Sequence, residues 1–562
     1  MFSTKKNVLQ TVAMLKAFDI SHVIISPGSR NAPLSQSFAS DSFFICHSIV
    51  DERSAGFYAI GLINKLLKPV ALCCTSGSAL LNYGPAVAEA YYQELPLVII
   101  SADRSPAWIG QMDGQTIPQT GVFNSLVKKS VQLPEINNDE ELWYCNRLLN
   151  ETLIECTNNG NGPVHINVPI SEPLFDFSCS ELPLARKINN FSAIKGIPYE
   201  SEMILLEQIW KKSNKRMILI GQGCPGNNEL LNFLEQLCLK RECVVLSEHL
   251  GNIGFSGLIG NFDALISTFY EKEYSELAPD LLITIGCHIV SKRIRKLIRT
   301  HAPENHWHFS ESGKIHDTFK NLTHLLDSSL VSLLENILNR IGTVDRSNND
   351  YVLKWTKKSD FIPSPGEDLP FSDIKVTGKF LSLLPAKSTL MVGNSSSVRN
   401  IQLFPLDKSI HVFCNRGTNG IEGSVSTAIG YSSIHDGHTY LLVGDLSFFY
   451  DLNSIWNGKT PENLHILLIN NGGGGIFHLL PGLEKADSMD KFVSASHSIS
   501  AESWVKASGL DYLKADSDLT YNSALMDFIN TDRKKAVVLE VFTDFQSNRK
   551  ASDTYYSIIK NK

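Results

Sequence analysis

Asp445 and Asn471 are the residues whose types and spacing point most directly to chemistry. They stand in VGDLSFFYDLN (443–453) and INNGGGGIF (469–477), each after an apolar run, YLLV or HILLI, that reads as a buried strand. A carboxylate and a carboxamide at neighbouring strand ends, followed by glycines, suit a hard divalent cation. Mg²⁺ takes roughly six oxygen ligands and usually draws some from a phosphate. Glycine allows close backbone approach, so a carbonyl near Gly473 is a third candidate ligand. The segment LSFFYDLNSIW reads as a helix whose N-terminus favours a phosphate. The two motifs together predict a metal-bridged diphosphate site. Taken singly, each is equally well an ordinary strand-ending turn.

Other polar residues gather at similar places. Glu52 lies in IVDERSAGFYAIG, at a strand end and in the first turn of a helix. The helix dipole alone accounts for an acid there. SPGSRNAPL puts Ser29 and Arg30 before a helix that starts near Pro33. Arg104 ends SADRSP, Lys292 and Arg293 follow ITIGCHIV, Arg399 ends GNSSSVR and Arg416 sits in CNRGTNG. One such arginine is usually a solvated charge. Several of them with a lysine predict a pocket for multiply anionic substrates, since arginine forks carboxylates and lysine adds a point charge. The expected substrates are dicarboxylates.

The elements that must position these residues follow from the apolar pattern. Short runs alternate with helix-length amphipathic stretches in three segments, which predicts α/β architecture: three doubly wound domains with mainly parallel sheets. Strands are expected at 22–26, 43–50, 69–76, 95–101 and 163–169, then at 216–221, 243–248 and 280–286, then at 388–394, 409–415, 440–445, 465–471 and 536–542. The polar stretches 171–200 and 342–370 read as linkers. Domains are therefore expected over 1–180, 195–342 and 370–562, with the first and third built on one plan. In such sheets ligands gather beyond the carboxyl ends of the strands, where SPGSRN, VDERSAG, TSGSA, SADRSP, GNSSSVR, NRGTNG, VGDLS and INNGGGG all fall.

Composition bounds the rest. A chain of 562 residues is too long for one core. Its 43% hydrophobic and 19% charged residues are ordinary for a soluble protein, and a net charge of −7 disfavours nucleic-acid binding. MFSTKKNVLQ lacks the apolar region of a secretion signal, and no apolar run would span a bilayer. The 11 cysteines are scattered without a CxxC pair and read as reduced residues of a cytoplasmic protein. His301, His306 and His308 are expected at a surface or strand end rather than on a metal.

The GD of Gly444-Asp445, followed downstream by Asn470-Asn471, resembles the metal and diphosphate motif of thiamin-diphosphate enzymes, although Leu446 and Ser447 replace the usual small residue. With SPGSRNAPL, DERSAGFYAIGL, TSGSALLNYGPAVAEA, SADRSP, GQTIPQTGVF, VGNSSSVR, CNRGTNGIEGSVSTAIG and NNGGGGIFHLLP, the chain is similar to the 2-succinyl-5-enolpyruvyl-6-hydroxy-3-cyclohexene-1-carboxylate synthases of menaquinone biosynthesis. That family carries GDLS. The resemblance covers nearly the whole chain and is weakest over 175–280.

The resemblance implies a transferase (a carboligase) using thiamin diphosphate and Mg²⁺ or Mn²⁺. It would decarboxylate 2-oxoglutarate and add the succinyl-semialdehyde carbanion to isochorismate in a 1,4 fashion. Glu52 would activate the pyrimidine ring of the cofactor. Asp445, Asn471 and the Gly473 carbonyl would hold the metal. Gly444, Ser447, Ile421, Ile476, Phe477 and Leu480 would contact the cofactor, with Ser395 in the same cleft. Ser29, Arg30, Arg104, Gln115, Lys292, Arg399 and Arg416 would orient the two acids. Gly114 stands where an Asn is expected. The site would lie between subunits of a homodimer or homotetramer.

Two alternatives remain at this stage. Another thiamin-diphosphate decarboxylase or carboligase would act on monocarboxylates and would not need the basic set. GQGCPG (221–226), with Glu248 ending the next strand, is a literal GxGxxG and admits a nucleotide-binding oxidoreductase. Pro225 stiffens that turn and argues against it.

Overall fold

The computed structural model describes residues 1–190, 198–224, 226–310, 312–342, 349–457, 460–479 and 482–561. Runs rich in Val, Ile and Leu become strands buried on both faces, and every strand pair within the three sheets is parallel. The first sheet holds β1 (His22–Ile25), β2 (Ile45–Ser48), β3 (Val70–Cys74), β4 (Leu97–Asp103), β5 (Lys129–Gln132) and β6 (Val164–Pro169). The central sheet holds β7 (Arg216–Ile220), β8 (Val244–Ser247), β9 (Leu281–Ile285), β10 (Asn305–Phe309) and β11 (His324–Leu326). The third holds β12 (Thr389–Val392), β13 (His411–Phe413), β14 (Thr439–Gly444), β15 (Leu464–Asn470), β16 (Asp511–Ala515) and β17 (Val537–Phe542).

The first sheet runs β2-β1-β3-β4-β6-β5 and the third runs β13-β12-β14-β15-β17-β16. Counted within each sheet the two orders are identical, so the first and third segments share one plan. They also share one core. Leu62 and Ile63 of the helix Glu52–Leu66 pack in a single cluster with Leu72 of the first sheet, Leu441 and Ile466 of the third, and Val425 and Ala428 of the helix Ser424–Ser432. Glycines let these two helices come together. A Cβ on Gly61 would lie 2.1 Å from the Thr427 carbonyl oxygen, and one on Gly430 would lie 2.1 Å from that of Tyr58. Gly61→Ala would gain up to about 1 kcal/mol in helix propensity. It would lose about 1–3 kcal/mol by forcing backbone apart. Net destabilisation is expected, read as a lower thermal midpoint.

Four strands were not expected from the sequence. β5 (KSVQ), β11 (HLL) and β16 (DYLKA) are edge strands with polar faces, which blunts the apolar signal. β10 (NHWHF) lies inside the central sheet, and its histidines hid it. This corrects the expectation for the histidine cluster. His306 and His308 are buried, and both share the Thr284 hydroxyl at 2.9 Å. Burial pushes the His306 imidazole down to about 4. His301 follows a helix end and is half-buried, in keeping with the expectation for it.

The second expected linker is also corrected. Asp350–Asp360 is a helix whose Tyr351, Val352 and Trp355 pack on the central sheet's core beside Ile294 and Leu297. Residues 343–348, which include VDRSN of the VDRSNND stretch, lie outside the described residues, as do 191–197 of the first linker. Among the described residues no helix is long and apolar enough to cross a membrane.

Candidate active site

β14 and β15 are neighbours, with Gly444 paired to Ile469, so Asp445 and Asn471 emerge side by side beyond their carboxyl ends. Asp445 is buried. One oxygen accepts the Leu446 N–H at 2.6 Å. The other accepts those of Gly472 at 2.8 Å and Gly473 at 2.9 Å. His497 Nε2 stands 3.3 Å from that second oxygen. Burial pushes the Asp445 carboxyl up to about 6, partly opposed by these donors and by His497. Asn471 donates its Nδ2 to Asp373 at 2.9 Å, and its buried Oδ1 has no partner.

Gly473 has φ 144°, and a Cβ there would meet the Ser494 carbonyl oxygen at 2.6 Å. The position therefore requires glycine. Its carbonyl accepts the Gly475 N–H at 2.9 Å, which leaves one lone pair. Among the described residues no three His, Cys, Asp or Glu side chains converge as metal ligands. A cation here would take a mixed set: the Asp445 carboxylate, the free Asn471 amide oxygen, a backbone carbonyl and oxygens of a phosphate. The buried carboxylate and the unpartnered amide oxygen both fit that set.

The helix after Asp445 is shorter than expected. It covers Asp445–Tyr450, and a tighter turn follows at Leu452–Ile455. Asp451 ends it by turning its buried carboxylate to the N–H and hydroxyl of Ser426, both at 2.7 Å. Ser447 donates its hydroxyl to the Ile421 carbonyl, which ties two of the expected cofactor residues together. Gly444 has open space where a Cβ would stand. Phe477 and Ile476 lie on the turn Gly475–Leu479. Leu480 lies outside the described residues.

Glu52 is the first residue of the helix Glu52–Leu66, which Asp51 caps by accepting the Ser54 N–H at 3.1 Å. Its half-buried carboxylate accepts the Asn82 amide at 3.2 Å. The same corner is seated on the third sheet's loops. Asp51 accepts from Asn453 at 2.6 Å, and Arg53 stacks 4.4 Å over Tyr450.

Four expected residues line one cavity of ≈ 600 Å³: Lys292, Arg293, Arg399 and Ile476. Arg549 and Tyr556 join them. The others stand elsewhere in this chain. Arg30 is buried, donating to the Ile170 carbonyl at 2.9 Å and pairing with Glu172 at 3.1 Å. Ser29 beside it is exposed. Arg104 donates to the Gly114 carbonyl and pairs with Asp113, both at 3.0 Å. Gln115 is exposed. A Cβ on Gly114 would meet nothing within 4 Å, so the expected Asn would have fitted. Ser395 has φ 71° and its carbonyl accepts from Arg399 at 2.7 Å. Arg416 is buried and donates to Asn394 at 2.9 Å, leaving its Nε unpartnered.

The structure gives Glu248, expected only as the acid of a dinucleotide site, another role, and it adds Asp263, which motif reading passed over. Glu248 is fully packed, and its two oxygens accept the N–H groups of Val290 and Ser291, each at 2.7 Å. Asp263 accepts from the Ser291 hydroxyl and from Arg293, whose guanidinium stacks 4.6 Å over Tyr556. These contacts fix the segment that presents Lys292. They also remove the acid that a dinucleotide reading needs. Glu248 lines the ≈ 600 Å³ cavity, whereas Gly223 of GQGCPG borders a different one of ≈ 990 Å³, and Pro225 lies outside the described residues.

Burial pushes the Glu248 carboxyl from 4.5 up to about 7, against the lowering effect of the two N–H donors and of Arg416, with Asp263 adding to the rise. The folded protein thus holds this proton more tightly than the unfolded chain. The stability it contributes is full below pH 4.5 and is lost as pH rises through about 7. Glu248→Gln removes that slope. Its thermal midpoint is expected to gain on the wild type between pH 5 and pH 8, by up to the order of 3 kcal/mol in stability.

Comparison with known proteins bears on this geometry. Residues 8–125 match the family described as "Thiamine pyrophosphate enzyme, N-terminal TPP binding domain". The chain is 44% identical over 567 residues to a 2-succinyl-5-enolpyruvyl-6-hydroxy-3-cyclohexene-1-carboxylate synthase of Phocaeicola vulgatus, covering 100% of both chains. It is similar to the same identity and extent to the Bacteroides fragilis protein of that name. A Porphyromonas gingivalis protein with the same name is 33% identical over 575 residues, covering 100% of this chain and 98% of its own.

Proposed function

The chain belongs to the 2-succinyl-5-enolpyruvyl-6-hydroxy-3-cyclohexene-1-carboxylate synthase family, and on that premise we propose that it joins the four-carbon unit of 2-oxoglutarate to isochorismate in menaquinone biosynthesis. Thiamin diphosphate, held with Mg²⁺ or Mn²⁺, supplies the electron sink that decarboxylation requires. Asp445, Asn471 and the Gly473 carbonyl hold the metal. Gly444, Ser447, Ile421, Ile476 and Phe477 shape the cofactor's bed. Glu52 would hydrogen-bond the pyrimidine ring and favour its reactive imino tautomer.

The observation that carries the substrate assignment is the cavity itself. Lys292, Arg293, Arg399 and Arg549 line it, together with Gly475 and Ile476 from the turn after Asn471 and with Asp373, which Asn471 touches. Of the acids in its wall, Asp263 pairs with Arg293 and Asp553 with Arg549, while buried Glu248 is held by backbone N–H groups and buried Asp373 by Asn471 and Thr543. Lys292 and Arg399, which pair with no acid side chain among the described residues, suit an acid with more than one carboxylate. Apolar Leu479 at the wall helps exclude water, which would quench the nucleophilic carbon by protonation.

Two copies of the chain complete the site. Val50, Leu81, Ile421 and Trp456, around Glu52 and the third-sheet motifs, are apolar and exposed, which supports coverage by a second subunit. Ser29, Arg30, Arg104 and Gln115 then reach the substrate from the first sheet, with Ser395 and Arg416 from the third. Measuring CO₂ release with thiamin diphosphate and Mg²⁺ tests the substrate class. Release from 2-oxoglutarate at more than about 100-fold the kcat/KM for pyruvate is expected, the loss of one bidentate carboxylate contact being worth about 3 kcal/mol. Equal use of pyruvate would refute the dicarboxylate assignment.

A further inference from the structure

Asn471 owes its orientation to a residue from another element. An Asn amide has a donor end and an acceptor end, and its neighbours decide which faces where. Asp373, at the start of the helix Asp373–Leu383, is buried and meets Asn471 at 2.9 Å. An ionised carboxylate only accepts, so the amide must turn its Nδ2 towards Asp373. Its Oδ1 is thereby committed to the opposite side, where it is buried and unpartnered. The reverse orientation would set two acceptors against each other.

Asp373 is itself held from two further directions. Thr543, just past β17, donates its hydroxyl at 2.6 Å to the carboxylate oxygen that Asn471 does not use. Asn548, on the C-terminal helix, accepts the Asp373 backbone N–H at 2.7 Å. Gly475 clears the ground around the amide, since a Cβ there would lie 2.8 Å from Asn471 Nδ2. Four segments of the third domain thus converge on one torsion.

We propose that Asp373 is a positioning residue that locks the Asn471 amide with its oxygen towards the Asp445 carboxylate, ready for a divalent cation. The inference rests on the reading of Asp445 and Asn471 as metal ligands. The cation gains an oxygen ligand that needs no reorganisation when it binds. The Asp373 charge also polarises the amide and strengthens that oxygen as a donor to the metal.

Mn²⁺ binding in the presence of thiamin diphosphate, followed by electron paramagnetic resonance, tests this without reference to turnover. The wild type is expected to bind Mn²⁺ and Asp445→Asn to lose it. Asp373→Ala should weaken binding about 10- to 100-fold, as loss of a partner behind a ligand does. The exchange Asp373→Asn with Asn471→Asp keeps the hydrogen bond with donor and acceptor reversed, and fixes a carboxylate oxygen on the metal side. It should restore binding to within about threefold of the wild type, which a merely structural role for Asp373 would not produce. If Asp373→Ala does not fold, Thr543→Val decides, with a loss of at least about threefold expected. Wild-type binding combined with unchanged affinity in Asp373→Ala, or in Thr543→Val in its place, overturns the proposal. So does failure of the exchange to recover affinity. Failure of the wild type to bind Mn²⁺ overturns the metal reading itself, and this inference with it.

Discussion

Glu52→Gln is expected to lower kcat by about 10²- to 10⁴-fold while leaving the fold and the affinity for thiamin diphosphate nearly unchanged. The fold is spared because the helix Glu52–Leu66 takes its cap from Asp51, and because glutamine can still accept from Asn82. Cofactor affinity should be spared because the proposed diphosphate and metal site lies on the third sheet. In the role proposed for Glu52, glutamine would lack the negative charge that favours the reactive tautomer of the pyrimidine ring. Steady-state kinetics with a direct cofactor titration separates the two effects. A kcat within about threefold of the wild type would remove Glu52 from the chemistry.

Asp445→Ala is expected to act at the opposite end of the cofactor. The substitution takes away the only carboxylate of the mixed ligand set, so metal-dependent binding of thiamin diphosphate should fall by more than about 100-fold. It also strands the N–H groups of Gly472 and Gly473, which both point at one Asp445 oxygen. The apo protein should lose less than those two bonds suggest, because the same change removes a carboxylate whose burial already pushes it up to about 6. A cofactor titration at fixed Mg²⁺, alongside the wild type in EDTA, measures the effect. The variant in Mg²⁺ and the wild type in EDTA should look alike. Unimpaired cofactor binding would move the metal away from Asp445.

Much of this was legible in the sequence, for identifiable reasons. HVII, VALCC, LLITI and LHILLIN carry their strands in composition alone, since a parallel strand buried on both faces needs unbroken apolar runs. Asp445 and Asn471 were legible because ligands collect beyond strand ends, where polar residues otherwise have little reason to cluster. The helix Asp350–Asp360 was missed because its three buried residues sit among lysines and aspartates that dominate its composition. Asp373 was illegible as a functional residue, and Glu248 was legible only as the acid of a dinucleotide site. Asp373 meets its partner Asn471 across 98 positions of sequence, and Glu248 acts on backbone N–H groups 42 and 43 positions away. A backbone partner leaves no mark in residue type. His497 joined Asp445 by the same kind of long-range contact. The basic residues were expected in one pocket, but only folding shows which of them share a cavity: Lys292, Arg293 and Arg399 do, and Arg30, Arg104 and Arg416 stand elsewhere in this chain.

The most direct test of the central claim is turnover by purified protein with thiamin diphosphate, Mg²⁺, 2-oxoglutarate and isochorismate, following isochorismate absorbance and identifying the product by mass. The expected result is isochorismate loss that requires 2-oxoglutarate, with a product heavier by the four-carbon unit left after CO₂ departs. CO₂ release with isochorismate untouched would contradict the synthase assignment and leave a different decarboxylase on the same cofactor site.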